Sequence, residues 1–211
     1  MARNKRYEGE NIAVTFDLQV CVHSRKCWLA LPKVFDPSRR PWVLPDNGSA
    51  DEIAAMVRTC PSGALQFERK DGAAQEAPSG TNIAQISENG PIKLKGDFRL
   101  GDEVLTRATL CRCGLSKNKP FCDNSHLKGH FRATGECDVT DKDSVEGLDG
   151  PVEITENPNG SLKFDGNLEV INGNGRRIAR TSAVRLCRCG QSNKKPFCDG
   201  SHRAAGFTTE D

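Results

Sequence analysis

A long internal repeat constrains the fold of this chain more than any other feature of its 211 residues. The segment CRCGLSKNKPFCDNSH at 111–126 recurs as CRCGQSNKKPFCDGSH at 187–202. We expect Gly90-Pro91 and Gly150-Pro151 to open the two copies, which makes the second copy the longer one. Because sequence repeats fold as similar units that pack on their neighbours, this repeat predicts two related modules.

The additional residues of the second copy include two turn sequences, ENPNG and INGNG. Runs of Asn, Pro and Gly of this kind reverse the chain between strands. The residues beside them predict two short strands, Ser161–Phe164 and Leu168–Ile171. We therefore expect the second copy to carry an added hairpin.

The first 70 residues predict a separate small module. Ile12–Phe16 predicts one strand, and Leu65–Phe67 predicts a closing strand. Between them, Ser49 and Glu52 have the spacing of a capping box, and apolar residues follow at helical spacing. We expect this helix to end at Cys60-Pro61, because proline cannot continue a hydrogen-bonded helix.

Two polar segments divide the chain. Residues 69–81, RKDGAAQEAPSGT, have the composition of a linker, and residues 138–150, DVTDKDSVEGLDG, form an acidic joint between the copies. The predicted organisation is a domain at 1–70, a linker at 71–81, a first repeat module at 82–135 and a second at 136–211.

The chain contains ten cysteines but few apolar residues, at 36% of the sequence, so its small modules need additional support. The opening residues, MARNKRYEGE, lead into no apolar stretch typical of a secretory signal, and no apolar run approaches the length of a membrane span. We therefore expect a cytoplasmic protein without a membrane partner, in which cysteines bind metal rather than form disulfides. The net charge of +2 and the scattered basic residues argue against a nucleic-acid partner.

Each copy of the repeat places three cysteines and one histidine at fixed spacing. Cys111 and Cys113 are two residues apart, so in extended backbone both side chains point to one side. Cys122 and His126 are four apart, a spacing that puts both on one face of a helix, with Asp123 as its N-cap. The second copy repeats the set with Cys187, Cys189, Cys198 and His202. Three cysteines and a histidine suit either a structural zinc ion or an iron–sulfur cluster.

The two segments resemble the CDGSH iron–sulfur domain of the NEET family, whose pattern is C-x-C-x2-(S/T)-x3-P-x-C-D-G-(S/A/T)-H. The second copy matches throughout, and the first has Asn124 at the position of Gly200. Both residue types tolerate a positive φ, so we expect a left-handed turn at both. The resemblance implies one [2Fe–2S] cluster per copy, held by the three cysteines and the histidine. It also implies an α+β protein with a small ferredoxin-like domain, followed by two β-rich CDGSH modules paired as an intramolecular pseudo-dimer.

Cys21, Cys27 and Cys60 form a different pattern in the N-terminal module. The run CxHxxxC, followed later by CPSGAL, resembles a divergent single-cluster ferredoxin-like domain. Three cysteines are one ligand short of a [4Fe–4S] cluster. Three interpretations remain open. The cysteines bind a [3Fe–4S] cluster, they bind a larger cluster with His23 or the unassigned Cys137 as a fourth ligand, or the domain holds no cluster.

The sequence therefore favours an iron–sulfur protein for one-electron transfer, for cluster storage and transfer, or for both. Its partner would be a redox protein or an apo-protein that accepts a cluster, and the chain would be a monomer. No nucleotide-binding glycine loop or nucleophile elbow is found in the sequence, so we do not expect an enzyme. The alternative is a structural zinc-stapled interaction module without redox activity.

Overall fold

The computed structural model describes residues 4–138 and 145–209, and the chain forms two compact units, Met1–Ala77 and Pro78–Asp211. The C-terminal unit is built mainly from β-strands, whereas the N-terminal unit combines three strands with short helices. Residues 139–144 of the predicted acidic joint lie outside the described residues. Within the described ranges, no helix is both long and apolar enough to cross a lipid bilayer.

The N-terminal unit is a three-stranded antiparallel sheet with helices in the connection between its second and third strands. The strands predicted at Ile12–Phe16 and Leu65–Phe67 are confirmed, and each is slightly longer than predicted. The elements are β1 (Asn4–Tyr7), β2 (Ile12–Asp17), α1 (Lys26–Ala30), a 3-10 helix (Pro45–Asn47), α2 (Ala50–Val57) and β3 (Leu65–Arg69).

The capping box at the start of α2 is confirmed. The Ser49 hydroxyl accepts a hydrogen bond from the Glu52 N–H at 3.3 Å, and the Glu52 carboxylate accepts one from the Ser49 N–H at 3.1 Å. The predicted end of the helix at Cys60-Pro61 is wrong, because α2 ends at Val57. The Thr59 N–H and hydroxyl both donate to the Met56 carbonyl, at 2.9 and 2.7 Å, and this tighter turn ends the helical pattern.

The C-terminal unit contains one six-stranded sheet to which both repeat copies contribute three strands. Within each copy the three strands run antiparallel to their neighbours in the chain. The elements are β4 (Ile83–Ile86), β5 (Ile92–Leu100), β6 (Glu103–Leu110), α3 (Ser125–Lys128), β7 (Val152–Glu156), β8 (Leu162–Ile171) and β9 (Arg177–Leu186).

The first strand of each copy pairs with the second strand of its own copy and also with that of the other copy. β4 of the first copy pairs in parallel with β8 of the second, and β7 of the second copy pairs in parallel with β5 of the first. One apolar core extends across both copies, and Phe98 packs edge-to-face on Phe164 with ring centroids 6.4 Å apart. The copies therefore fold as one body.

The predicted added hairpin is wrong. The two predicted strands, Ser161–Phe164 and Leu168–Ile171, merge into a single strand, β8, which begins at Leu162 and whose register shifts between Asp165 and Leu168. Gly166 has a φ of +132°, and a Cβ at this position would lie 2.5 Å from the Pro151 carbonyl oxygen, so the chain bulges here instead of turning. The two turn sequences do connect strands: ENPNG joins β7 to β8, and INGNG joins β8 to β9.

The predicted alignment of Gly150-Pro151 with Gly90-Pro91 is also wrong. The structural counterpart of Gly90 is Gly160, because each carbonyl accepts a hydrogen bond at 2.8 Å from the arginine between the first two cysteines of its copy. The identical residues around the cysteines align the two copies at the ligand loops. The β8–β9 turn is longer than the β5–β6 turn and lies between Gly160 and those loops, so the same offset does not hold upstream of it.

Candidate metal centres

The first set of predicted ligands lies in a loop that closes at the end of β6. The Cys111 N–H donates to the Pro120 carbonyl at 2.8 Å, and the Cys122 N–H donates to the Thr109 carbonyl at 2.9 Å. These two bonds bring the third cysteine beside the first, although ten residues lie between them in the sequence. The Sγ atoms of Cys111 and Cys113 are 3.8 Å apart.

The histidine of the first set is positioned by a left-handed turn. Asn124 has a φ of 70°, and Gly200 has one of 89°, as expected for these positions. Asn124, not Asp123, occupies the N-cap of α3, so that prediction is wrong; the Asp123 carboxylate instead accepts from the Ser125 N–H at 2.9 Å. Cys122 therefore precedes the helix, and the turn places its Sγ 3.5 Å from His126 Nδ1.

The second set repeats this geometry. Cys187 donates its N–H to the Pro196 carbonyl at 2.8 Å, and Cys198 donates its N–H to the Arg185 carbonyl at 2.9 Å. Its Cys187 and Cys189 Sγ atoms are 3.6 Å apart, and Cys198 Sγ is 3.6 Å from His202 Nδ1. Each set thus consists of a close Cys–Cys pair and a close Cys–His pair.

The separations within these pairs fit metal ligands. Two thiolates bound at about 2.3 Å to one tetrahedral metal are about 3.8 Å apart, and a thiolate and an imidazole on one metal are about 3.5 Å apart. Backbone N–H groups of Leu115 and Asn124 each lie 3.4 Å from a cysteine sulfur and favour the thiolate form. Among the described residues, no group of three or more His, Cys, Asp or Glu side chains converges on a single metal-ion position.

The three N-terminal cysteines line a common cavity. Cys21, Cys27 and Cys60 border a space of about 1030 Å³ whose walls include Trp28 and Trp42. Burial raises the pKa of the Cys21 and Cys27 thiols, and the neighbouring Cys60 raises both further. The three cysteines are therefore brought together on one side of the N-terminal unit.

The two candidates for a fourth ligand of the N-terminal site, His23 and Cys137, lie in different units of the chain. The Nδ1 atom of His23 is 3.9 Å from Cys21 Sγ, and its ring lines the same cavity. Cys137 belongs to the C-terminal unit, where it packs against that unit's core and its thiol donates to the Asp138 carbonyl at 3.4 Å.

Two family models match the chain. Residues 7–70 match a family described as a divergent 4Fe-4S mono-cluster, and residues 89–127 and 159–203 match one described as an iron-binding zinc finger of CDGSH type. The uncharacterized protein YjdI of Escherichia coli K12 is 39% identical over 64 residues, which are 30% of this chain and 84% of YjdI. YjdI of Escherichia coli O157:H7 matches with the same identity and coverage. No solved structure matches the chain.

The chain belongs to the CDGSH family. Its N-terminal unit is a divergent 4Fe-4S mono-cluster domain similar to YjdI, and its C-terminal unit contains two CDGSH domains. The protein is therefore an iron–sulfur protein. The two CDGSH matches begin at 89 and 159, in agreement with the structural equivalence of Gly90 and Gly160.

The thiols of each CDGSH site are electrostatically unequal. The Cys113 thiol and nearby backbone N–H groups donate to Cys111, which lowers the pKa of Cys111 to about 6 and raises that of Cys113. Cys187 and Cys189 show the same relationship, and the pKa of Cys187 is lowered to about 6. One thiol of each pair is thus the easier to deprotonate, and metal binding displaces the remaining thiol protons.

The arginine between the first two cysteines of each CDGSH domain is a structural residue that our reading of the sequence missed. Arg112 and Arg188 are each 1% exposed. Arg112 donates to the carbonyls of Ser87, Gly90, Ala133 and Thr134 at 2.8–3.0 Å. Burial lowers its pKa to about 10, so it stays charged at neutral pH. Its occurrence in both copies of CRCG was the signal that could have identified it.

Proposed function

We propose that the protein holds one [2Fe–2S] cluster in each CDGSH domain and serves one-electron transfer. The observation that carries the proposal is the division of each ligand set into a Cys–Cys pair and a Cys–His pair, at 3.5–3.8 Å within each pair. Two close pairs suit a cluster with two irons, one pair for each iron, whereas one zinc ion needs all four ligands around a single point. A bound cluster supplies one-electron redox chemistry, and the histidine in place of a fourth anionic thiolate favours a higher potential.

Iron and acid-labile sulfide analysis of protein purified without oxygen tests this proposal, together with visible absorption and EPR after reduction. The expected result is a coloured protein in which iron and sulfide are equal and the reduced [2Fe–2S] centres give an EPR signal. A colourless, zinc-loaded protein would instead support the alternative, a structural zinc-stapled interaction module. Cys111→Ser and Cys187→Ser should each remove one of the two [2Fe–2S] centres.

The two CDGSH domains are proposed to form an intramolecular pseudo-dimer within a monomeric chain. The reciprocal pairing of β4 with β8 and of β7 with β5 supports this arrangement, because each copy completes the sheet of the other. Light scattering coupled to size exclusion should give a mass near 23.0 kDa. A mass of twice that value would contradict the monomer.

A third cluster is proposed in the N-terminal domain, which we interpret as ferredoxin-like. The support is the common cavity of Cys21, Cys27 and Cys60 and the match to a 4Fe-4S mono-cluster family. Two kinds of cluster in one chain favour electron transfer over cluster storage alone. Iron content above that of two [2Fe–2S] clusters would support this third site.

A redox protein, or an apo-protein that takes up a cluster, is proposed as the partner, in a reducing cytoplasmic setting where thiols remain free to bind metal. We propose no catalytic reaction for the chain itself. Mixing the holo-protein with an apo-ferredoxin of the [2Fe–2S] type separates the two roles. Electron transfer predicts oxidation of the reduced protein by a redox acceptor without loss of iron, whereas cluster transfer predicts that iron and sulfide move to the apo-ferredoxin.

A further inference from the structure

The N-terminal cavity offers three thiols to a cluster that takes a ligand on each of four irons. We propose that the Nδ1 atom of His23 is the fourth ligand of a [4Fe–4S] cluster bound by Cys21, Cys27 and Cys60. This inference rests on the proposed presence of a cluster in that cavity and assigns the ligand that the three cysteines leave open.

The position of the His23 ring supports this assignment. Its Nδ1 faces Cys21 Sγ at 3.9 Å, and the ring lines the cavity together with all three cysteines. Four ligands on separate irons must lie farther apart than this, and His23 is exposed, so its side chain has room to adjust. A neutral imidazole nitrogen is a good ligand for iron, and the lone pair on Nδ1 binds without any redox change.

The backbone of the loop holds the ring on this side. His23 has a φ of 49° and Arg25 has one of 66°, both in the left-handed region that residues with a Cβ adopt at a cost of about 1 kcal/mol each. Such conformations concentrate at binding sites, where the surrounding structure requires them. Two left-handed residues within the short Cys21–Cys27 interval turn this segment back around the cavity.

The hydroxyl groups around the cavity, on Tyr7, Ser24 and Ser62, are weaker ligands because each would have to lose its own proton to bind iron well. Ser62 Oγ lies 3.8 Å from Cys60 Sγ, but it also accepts a hydrogen bond from the Ala64 N–H. Lys5, Arg25 and Arg40 also line the cavity, but their cationic groups have no free lone pair. His23 is the imidazole among the described residues that border this cavity.

Three variants of the full chain, purified without oxygen, test the assignment: His23→Ala, His23→Cys and, as the matched control, Ser62→Ala. The measurements are iron and sulfide per chain, EPR before and after reduction, and pulsed EPR of protein labelled with ¹⁵N-histidine. We expect His23→Ala to lose about one iron per chain and to gain the EPR signal of an oxidised [3Fe–4S] cluster. His23→Cys should keep four irons at this site but lose the histidine nitrogen coupling to that cluster. Ser62→Ala should keep the four irons and also the nitrogen coupling.

Retention of an unchanged [4Fe–4S] signal in His23→Ala, or of nitrogen coupling in His23→Cys, would overturn the assignment. A [3Fe–4S] signal in Ser62→Ala alone would assign the position to Ser62 instead. A protein that contains its two [2Fe–2S] centres but no four-iron centre would also overturn it, while leaving the proposed function of the CDGSH domains intact. Circular dichroism establishes that each variant is folded, and His23→Cys still decides the question if His23→Ala is not.

Discussion

Cys113 and Cys189 are partners in an antiparallel β-bridge, so a proposed ligand of one CDGSH site lies directly against a proposed ligand of the other. The Cα atoms of residues paired in this way are about 5 Å apart. The glycines that follow make this approach possible: a Cβ on Gly114 would lie 2.6 Å from the Cys189 carbonyl oxygen, and one on Gly190 would lie 2.6 Å from that of Cys113. The two sites are therefore joined through their ligand loops as well as through the shared sheet.

Substitution of Gly190 by alanine should separate these loops. Its φ of +79° and the clash with Cys113 together predict a loss of about 2–4 kcal/mol in the free energy of unfolding. Gly175→Ala is the matched control, because Gly175 has a φ of +84° but no atom within 4 Å of an added Cβ, and it should cost about 1 kcal/mol. Urea unfolding followed by circular dichroism measures both. Equal losses would show that the contact with Cys113 contributes nothing.

The second CDGSH site should release its iron faster than the first. Cys122 and His126 are 3% and 8% exposed, whereas Cys198 and His202 are only half-buried, so a chelator and water reach the second site more readily. We expect the [2Fe–2S] absorption to decay in two kinetic phases when an iron chelator is added, separated several-fold in rate. Cys111→Ser, which leaves only the second site, should show the fast phase, and Cys187→Ser the slow one. The reverse order would contradict this prediction.

Removal of Arg112 should destabilise the first CDGSH domain strongly. Arg112→Met removes four hydrogen bonds made by a buried, charged guanidinium, including the one to the buried Gly90 carbonyl, and we expect a loss of about 3–5 kcal/mol. Arg112→Lys should recover only part of the lost free energy of unfolding, since an ammonium group lacks the planar fork of a guanidinium. Arg132→Met, at an exposed position, should change the free energy of unfolding by less than about 0.5 kcal/mol. Urea unfolding compares the three, and a small effect of Arg112→Met would contradict the structural role.

The N-terminal unit should lose stability as the pH falls from about 4 towards 2. The Arg69 guanidinium donates to Asp71 and lowers the pKa of its carboxyl to about 2. A folded-state pKa below the unfolded value stabilises the folded state above pH 4, and this contribution disappears as the carboxylate is protonated in the folded protein. Asp71→Asn should therefore be less stable at neutral pH and should show a smaller decline in acid.

Tryptophan fluorescence of the iron-free protein measures this effect selectively. Both tryptophans of the chain, Trp28 and Trp42, belong to the N-terminal unit, so their emission follows the unfolding of that unit. Glu10→Gln, which removes another exposed carboxylate, serves as the control. Its stability should depend on pH in the same way as that of the unmodified protein. Identical pH profiles for Asp71→Asn and the unmodified protein would exclude a contribution from the Arg69–Asp71 pair.

The sequence was most informative where structure depends on neighbouring residues. The capping box of Ser49 and Glu52 and the left-handed turns at Asn124 and Gly200 depend on residues a few positions apart, and these predictions are confirmed. The helix end near Cys60 was misplaced because a Thr59 side-chain bond ends the helix before the proline does. Local patterns thus predicted the type of element better than its limits.

The arrangement of the strands could not be read from the same patterns. The parallel pairing of β4 with β8 joins segments more than 80 residues apart, and nothing in either segment specifies its partner. The equivalence of Gly90 with Gly160 became visible only through their shared role as acceptors for buried arginines. Likewise, the bulge at Gly166 was interpreted as a break between strands, because glycine is common in turns and in β-bulges alike.

The pairing of β4 and β7 across the two copies also removes a dependence on protein concentration. Two separate chains that paired in this way would need to meet, and their association would weaken as they were diluted. In this chain a single stretch of polypeptide joins the copies and gives each a constant, high effective concentration of the other. The paired sites should therefore persist at expression levels where a dimer of single-site chains would dissociate.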